Sequence, residues 1–137
     1  MRVLVCGGRT FGVAPRNPTP EQVERALFEA AWLFRALDRL HARKPITLLI
    51  HGAAAGADTH AGAWAKRRGV QIDPYPADWT AYGKRAGRIR NRKMLRESNP
   101  DLVVAFPGGT GTADMSEIAK AAGVQVWAPR EPVPLGT

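Results

Sequence analysis

The most constraining stretch of this sequence is a short apolar run that leads directly into a glycine-rich turn. Residues 102–106 are apolar throughout, with Asn99-Pro100 before them and Pro107-Gly108 after them. A strand that is apolar along its whole length is typical of a parallel sheet covered on both faces. We therefore expect a buried central strand in a sheet that carries helices on both sides.

The turn after this run has the composition of a phosphate-binding loop. Its glycines allow tight turning, and Thr112 is expected to cap a helix over residues 113–122. Free N–H groups and the positive end of that helix would then face whatever lies above the strand, an arrangement that binds anions. The predicted phosphate contacts are Gly108, Gly109, Thr110, Gly111 and Thr112.

This loop matches neither of the two standard nucleotide-binding motifs. No Lys-Ser/Thr pair follows the glycines, as a Walker loop requires. Asp114 stands at the position of the last glycine in a dinucleotide fingerprint. The phosphate contact is therefore predicted from the strand, the turn and the helix together.

Strands and helices alternate along the whole chain. Further strands are predicted over residues 2–6, 46–50, 70–75 and 124–127, with helices between them. This order predicts one α/β domain over residues 1–129, a doubly wound Rossmann-like parallel sheet of about five strands with helices on both faces. Residues 130–137 form a proline-rich tail. If the first and fourth strands are neighbours, their glycine loops face one crevice, where such sheets bind ligands.

The first helix begins with a capping box. Thr19 and Gln22 are spaced to exchange hydrogen bonds between side chain and backbone, and Pro20 fits the first helical turn. Apolar residues, including Val23 and Leu27, then recur at intervals of three and four over about 22 residues. We expect this whole stripe to pack on the sheet.

Two more glycine turns follow the first and second strands. Asp58 near the start of the second helix has two interpretations. The favoured one is that its carboxylate satisfies N–H groups at the helix end, and the alternative is a ligand contact such as a ribose hydroxyl. The predicted ligand contacts of these turns are Gly7, Gly8, Arg9, Thr10, Gly52, Gly56 and Asp58.

The charge of the chain favours anionic partners. Lysines and arginines number 20 against 12 acids, for a formal charge of +8. Seven of these cations fall within residues 84–96, on a helix predicted over residues 84–98. Arg85, Arg88, Arg92 and Arg96 share one face of it, and we expect most of them to lie in water.

Two aromatic residues precede this basic helix. Trp79 and Tyr82 lie in residues 77–83, a segment that is expected to cross over the surface. Either ring is of a type that stacks on a nucleotide base, but packing against the sheet is the commoner fate of such residues. Packing is therefore the prediction.

Several kinds of protein and site are not expected. The sequence reaches glycine too early for a signal peptide, and no apolar run approaches the roughly 18 residues of a membrane span. We therefore expect a cytoplasmic protein without membrane contact. The single cysteine, Cys6, should be buried. His51 and His60 lack a third ligand at useful spacing, so no metal site is expected, and no cofactor either.

Four motifs occur in an order that resembles the SLOG superfamily. They are Val5-Cys-Gly-Gly-Arg-Thr-Phe-Gly12, His51-Gly-Ala-Ala-Ala-Gly-Ala-Asp58, residues 87–94 and Pro107-Gly-Gly-Thr-Gly-Thr112. The sequence is most similar to the branch labelled DUF2493, related to YspA and YpsA, and the resemblance covers nearly all of residues 1–128. It implies a Rossmann-like fold, a nucleotide-derived ligand and a homodimer.

A better-understood group of relatives is the "lonely guy" phosphoribohydrolases, which release a base from nucleoside 5′-monophosphates. Their signature is Pro-Gly-Gly-x-Gly-Thr-x-x-Glu, preceded by an arginine-lysine pair that Arg92-Lys93 match here. The resemblance implies that both residues contact the nucleotide, and Arg92 is the strongest single site prediction. In the hydrolases this arginine works with the final glutamate, but Met115 stands at that position.

This departure bears on the chemistry. Breaking an N-glycosidic bond builds positive charge on the ribose, so the reaction needs a carboxylate near the sugar. Asp114 and Glu117 are the nearest acids, and neither is an obvious substitute because adjacent helical side chains differ by about 100° in direction. Arg92 and Asp114 are the predicted catalytic residues if the protein is an enzyme.

Three functions remain open. The preferred one is a sensor or carrier that binds a nucleotide derivative such as AMP or ADP-ribose. The second is a phosphoribohydrolase or related N-glycosidase in which another carboxylate replaces the missing glutamate. The third is binding of single-stranded nucleic acid through the basic helix, by analogy with DprA, a more distant relative within the resemblance.

Overall fold

The computed structural model describes residues 1–133, so the last part of the tail predicted for residues 130–137 lies outside the described residues. The strands are β1 (Arg2–Cys6), β2 (Leu48–His51), β3 (Gln71–Pro74), β4 (Leu102–Ala105) and β5 (Gln125–Trp127). The helices are α1 (Pro20–Arg43), α2 (Ala57–Arg68), the single turn α3 (Trp79–Tyr82), α4 (Ala86–Ser98) and α5 (Thr110–Ala121). A 3₁₀ turn at Gly83–Arg85 joins α3 to α4.

The five strands form one parallel sheet in the order β3-β2-β1-β4-β5. This confirms the predicted fold class. It also confirms that β1 and β4 are neighbours, with Val5 paired to Val104. The strand order reverses at β1, so the carboxyl ends of β1 and β4 border the switch point at which such sheets bind ligands.

Two apolar cores cover the two faces of the sheet. Because successive strand residues point to opposite faces, Val3 and Val5 of β1 enter one core while Leu4 and Cys6 enter the other. The first core lies under α1 and α2 and includes Leu33, Leu37 and Trp64. The second lies under α4 and α5 and includes Met94 and Met115. The predicted burial of Cys6 is confirmed.

Helix α1 begins as predicted but is rotated differently. The capping box is present, because Thr19 Oγ1 accepts from Gln22 N at 3.2 Å and Gln22 Oε1 accepts from Thr19 N at 2.9 Å. The prediction that the whole apolar stripe packs on the sheet is wrong, since Leu27 is 67% exposed and Val23 39% exposed. The buried side of α1 instead follows Ala26, Leu33 and Leu37. Adjacent helical residues differ by about 100°, so packing of this second stripe turns Leu27 into solvent.

The surface segment before α4 contains a little more structure than expected. Asp78 accepts a hydrogen bond from Ala81 N at 3.0 Å and thereby caps the single turn of α3. The basic helix then becomes regular at Ala86. Within residues 1–133, no helix is both long enough and apolar enough to cross a membrane.

Candidate functional site

A cleft of about 480 Å³ lies at the carboxyl ends of β1, β2 and β4, between the glycine turns and α4. This volume falls within the range of small-molecule sites. Its wall is formed by Val5, Cys6, Gly7, Gly8, Arg9, Gly52, Ala54, Asp58, Trp79, Lys84, Gly87, Arg88, Arg90, Asn91, Met94, Gly109, Thr110, Gly111, Thr112 and Asp114. The glycine turns after β1, β2 and β4 all contribute to this wall, as the strand order predicts.

Gly8 holds the three turns together. Its N–H donates to the carbonyl of Pro107 at 2.8 Å, and its own carbonyl accepts from Ala57 N at 3.2 Å. A Cβ at Gly8 would lie 3.0 Å from Pro107 O, and a Cβ at Gly7 would lie 2.6 Å from that of Ala57. The turns therefore approach each other as closely as backbone alone permits, which explains why glycine occupies both positions.

The start of α5 presents free backbone donors to the cleft. The helix begins at Thr110 after Gly109, so the prediction that Thr112 caps a helix from residue 113 is wrong. Thr112 lies in the first helical turn instead, because the glycines allow the chain to become helical three residues earlier. Among the described residues, no side chain accepts a hydrogen bond from this helix end. Its N–H groups are consequently available to an anion.

Arg90 is a partly buried cation fixed against the opposite wall. Its Nη1 donates to the carbonyls of Gly52 and, at 3.4 Å, Tyr75, while its Nε donates to Asn91 Oδ1 at 2.9 Å. Burial lowers the pKa of the Arg90 guanidinium below its usual value, although Asp58 opposes this. An arginine keeps its proton at neutral pH nonetheless, so Arg90 brings a positive charge with a defined orientation to the cleft.

Asn91 connects this cation to the start of α5. Its Nδ2 donates to the carbonyl of Gly111 at 3.2 Å and to Asp114 Oδ2 at 3.1 Å. The amide side chain therefore links α4 to α5 while its oxygen accepts from Arg90. One residue thus fixes both the guanidinium and the helix start, and couples their positions.

Asp58 lies at the start of α2, on the far side of Gly8 from α5. Its Oδ2 accepts from Gly52 N at 3.1 Å and from Ala54 N at 3.2 Å. These amides belong to the turn before α2, so the prediction that Asp58 satisfies the end of its own helix is wrong. Burial raises the pKa of Asp58 to about 6, against the opposing effects of the Ala54 hydrogen bond and the Arg90 charge.

The mouth of the cleft carries an aromatic ring and further cations. The guanidinium of Arg9 lies 5.0 Å from the ring centre of Trp79, a cation–π contact. Trp79 remains 48% exposed, so the prediction that it packs against the sheet is wrong. Lys84 and Arg88 also border the cleft. The expectation that most arginines of the basic face lie in water is confirmed, because Arg85, Arg88, Arg92 and Arg96 are all exposed.

Most, but not all, of the predicted site residues border the cleft. Those that do are Gly7, Gly8, Arg9, Gly52, Asp58, Gly109, Thr110, Gly111, Thr112 and Asp114. Those that do not are Thr10, Gly56, Arg92, Lys93 and Gly108. Gly56 and Gly108 lie behind the wall, where a side chain at either would meet backbone atoms of the β1 turn. Arg92 points along α4, with Nη1 3.1 Å from Arg88 O and 3.6 Å from Asp114 Oδ2.

Neither Arg90 nor Asn91 was predicted from the sequence as a site residue. A signal was nevertheless present, because Arg90 is four residues from both Ala86 and Met94 and so shares the buried side of α4 with them. A charged residue on the apolar side of a helix needs a polar partner. This placement distinguishes Arg90 from the exposed arginines of the same helix.

Positions 114 and 115 face different environments. Met115 is fully buried in the core beneath α5, whereas Asp114 borders the cleft.

At the floor of the cleft, burial raises the pKa of the Cys6 thiol to about 12, and the nearby Asp58 adds to this. A thiol with such a pKa is not a nucleophile at neutral pH.

The side chains of His51 and His60 contact polar backbone atoms. His51 Nδ1 accepts from Ala53 N at 2.9 Å, and His60 Nε2 lies 2.8 Å from Gly12 O. Across residues 1–133, no three or more His, Cys, Asp or Glu side chains are grouped so that they could hold a metal ion.

A family model and a phage protein both match this chain. The model of the YspA, cpYpsA-related SLOG family matches residues 1–82, which span β1 to α3 and include the first two glycine turns. The Gene 61 protein of Mycobacterium phage D29 is 40% identical over 97 residues. That alignment covers 65% of this chain and 76% of the phage protein.

Proposed function

The chain belongs to the YspA, cpYpsA-related SLOG family, and on that premise we propose that its cleft binds a nucleotide or nucleotide derivative such as AMP or ADP-ribose. One observation carries the proposal. The uncapped start of α5 and the fixed guanidinium of Arg90 border the same cleft. Backbone donors and a partly buried cation together form a site for a phosphate group.

The first support is electrostatic. Four cations border the cleft, Arg9, Lys84, Arg88 and Arg90, against the two acids Asp58 and Asp114. Asp114 is further balanced by Asn91 and by Arg92 at 3.6 Å. The cleft therefore attracts an anion, and at the start of α5 no side chain of residues 1–133 competes for the amides.

The second support is the shape of the mouth. A nucleotide carries a flat base at the end opposite its phosphate, and such a base stacks on aromatic and guanidinium planes. Trp79 and Arg9 offer both kinds of plane at the edge of the cleft, with half of the Trp79 side chain still exposed. We assign the base to this edge.

Binding without hydrolysis is favoured by the environment of Met115. The hydrolase glutamate matched by Met115 would have to reach the ligand, but this side chain is sealed in the core under α5. Asp114 does border the cleft, and this observation alone keeps a phosphoribohydrolase as the second candidate. Chromatography of AMP incubated with a high concentration of protein tests it, because only the hydrolase releases adenine.

The test of the proposal is a calorimetric titration with AMP, ADP-ribose and a short single-stranded oligonucleotide at two salt concentrations. We expect at least one mononucleotide derivative to bind with little dependence on salt. Binding of the oligonucleotide alone, falling steeply as salt rises, would instead support the third candidate, nucleic-acid binding through α4. Absence of binding by all three would contradict the proposal.

Two arginines of the same helix provide a matched pair of variants. Arg90→Ala should weaken binding of the phosphate-bearing ligand by about 1.5–3 kcal/mol, because a hydrogen-bonded charge is lost. Arg92→Ala removes the same charge from an exposed position outside the wall and should change affinity by less than about 0.5 kcal/mol. Arg90→Lys retains the positive charge but not the forked geometry of the guanidinium. A thermal melt of each variant controls for folding. Equal losses for Arg90→Ala and Arg92→Ala would contradict this assignment.

A further inference from the structure

The cleft contains one carboxylate oxygen without a partner. Asp58 is only 6% exposed, and its Oδ2 is fully used by the amides of Gly52 and Ala54. No hydrogen bond reaches Oδ1 from the described residues. Among residues 1–133, Trp32 Nε1 is the one side-chain nitrogen or oxygen that is both fully buried and unpaired. Asp58 Oδ1 is also unpaired, so it is not fully buried. Since Asp58 borders the cleft, Oδ1 is open to a ligand there.

An open carboxylate oxygen requires a donor. A deprotonated phosphate oxygen cannot supply one and would be repelled by the charge, so Oδ1 itself does not contact the phosphate group. A hydroxyl group supplies an O–H donor, which forms a short charge-assisted hydrogen bond with a carboxylate. In a nucleotide, the ribose carries such hydroxyls between the phosphate and the base.

The backbone brings this acceptor close to the phosphate position. Gly8 is hydrogen-bonded both to Ala57, the neighbour of Asp58, and to Pro107, at the start of the turn before α5. The carboxylate and the uncapped helix end therefore flank the same glycine. A ligand whose phosphate lies at α5 places its sugar next to that glycine, within reach of the α2 side.

We propose that Asp58 accepts a hydrogen bond from a ribose hydroxyl and makes the site selective for ribonucleotides over deoxyribonucleotides. This inference rests on the proposed nucleotide function and specifies the sugar of its ligand. Asp58 then acts on specificity and leaves the phosphate contacts unchanged. The site would correspondingly disfavour single-stranded DNA as a ligand.

The test is a set of calorimetric titrations of the full chain with AMP, 2′-deoxy-AMP and 3′-deoxy-AMP. A charged hydrogen bond of this kind corresponds to a preference of roughly 10- to 100-fold for AMP over at least one deoxy analogue. Asp58→Asn retains an oxygen for the Gly52 and Ala54 amides but removes the charge, and should reduce this preference to within about 3-fold. Glu117→Gln, an exposed acid on α5 outside the cleft wall, should retain it.

The outcomes separate this inference from the function on which it rests. Equal affinity for AMP and both deoxy analogues would overturn the role of Asp58 and leave nucleotide binding intact. An unchanged preference in a folded Asp58→Asn variant would do the same. Failure of AMP and both deoxy analogues to bind would overturn this inference, and failure of ADP-ribose as well would overturn nucleotide binding. The wild-type titrations decide the matter even if Asp58→Asn does not fold.

Discussion

The starts of α2 and α5 differ although they are built from similar sequence. Each helix follows a glycine turn at the carboxyl end of a parallel strand, and glycine is the residue before the first helical turn in both. At α2, Gly56 has a φ of 81° and is packed against the β1 turn, and Asp58 places a carboxylate beside the turn. At α5, Gly109 has open space around it and its first turn contains no acid.

This difference shows how the same kind of glycine turn can present a hydrogen-bond acceptor at one place in a cleft and donors at another. The α2 turn is closed by the protein's own contacts and displays an acceptor, whereas the α5 turn is open and displays donors. A ligand with a phosphate and a hydroxyl is complementary to both ends at once. The glycines therefore have different roles, because those near α2 allow close packing while Gly109 is surrounded by open space.

Replacing the glycines that precede α2 and α5 with alanine should give the largest difference in stability between two variants. Gly56→Ala places a Cβ against the carbonyl of Gly8 at a positive φ, so it should destabilise the fold by about 3 kcal/mol or more. Gly109→Ala meets no atom within 4 Å and should cost less than about 1 kcal/mol. Urea denaturation of both variants measures this, and similar losses would remove the structural distinction between the two turns.

The acid of the α2 turn should make stability depend on pH. Burial raises the pKa of Asp58 to about 6 from its usual 3.8, so between these values the folded chain holds a proton that the unfolded chain has lost. The contribution of Asp58 to stability therefore falls as pH rises through this window, by about 3 kcal/mol in all.

Asp58→Asn isolates this effect. Its free energy of unfolding should exceed that of the wild type by an amount that grows between pH 4 and pH 6 and then stays constant. Urea titrations at pH 4.5, 5.5, 6.5 and 7.5 provide the comparison. A difference between the two proteins that does not vary with pH would show that the carboxylate is not buried in solution as it is in the structure.

The smallest expected effect comes from closing the open turn. Gly109→Ser introduces a hydroxyl that can accept from the first-turn amides of α5, and should stabilise the fold by about 0.5 kcal/mol. The same hydroxyl takes a donor away from the ligand, so AMP affinity should fall while stability rises. Thermal melts and calorimetry on one preparation test both. A rise in stability without loss of affinity would place the phosphate elsewhere.

Local sequence patterns were sufficient to predict the overall architecture of the molecule. The apolar run before Pro107 and the strand–helix alternation predicted the parallel sheet, and the glycine turns predicted where its cleft lies. These features depend on residues close together in the chain. The capping box at Thr19 was predictable for the same reason, because both of its partners lie within one helical turn.

Features set by tertiary packing were not predictable in this way. Two apolar stripes compete on α1, and packing of Leu33 and Leu37 against the sheet decides between them, leaving Leu27 exposed. Arg90 differs from the other arginines of α4 through its contact with Gly52, which lies 38 residues earlier in the chain. Thr112 was predicted to cap α5, but the helix begins at Thr110, so Thr112 lies within it.

In the proposed function, the open end of α5 and Arg90 together hold the phosphate of a nucleotide. The most direct measurement compares AMP with adenosine by calorimetry on the wild-type protein, because the two differ only in that phosphate. Several charged hydrogen bonds would be lost with it, so adenosine should bind at least roughly 100-fold more weakly than AMP. Equal affinities for AMP and adenosine would contradict the account.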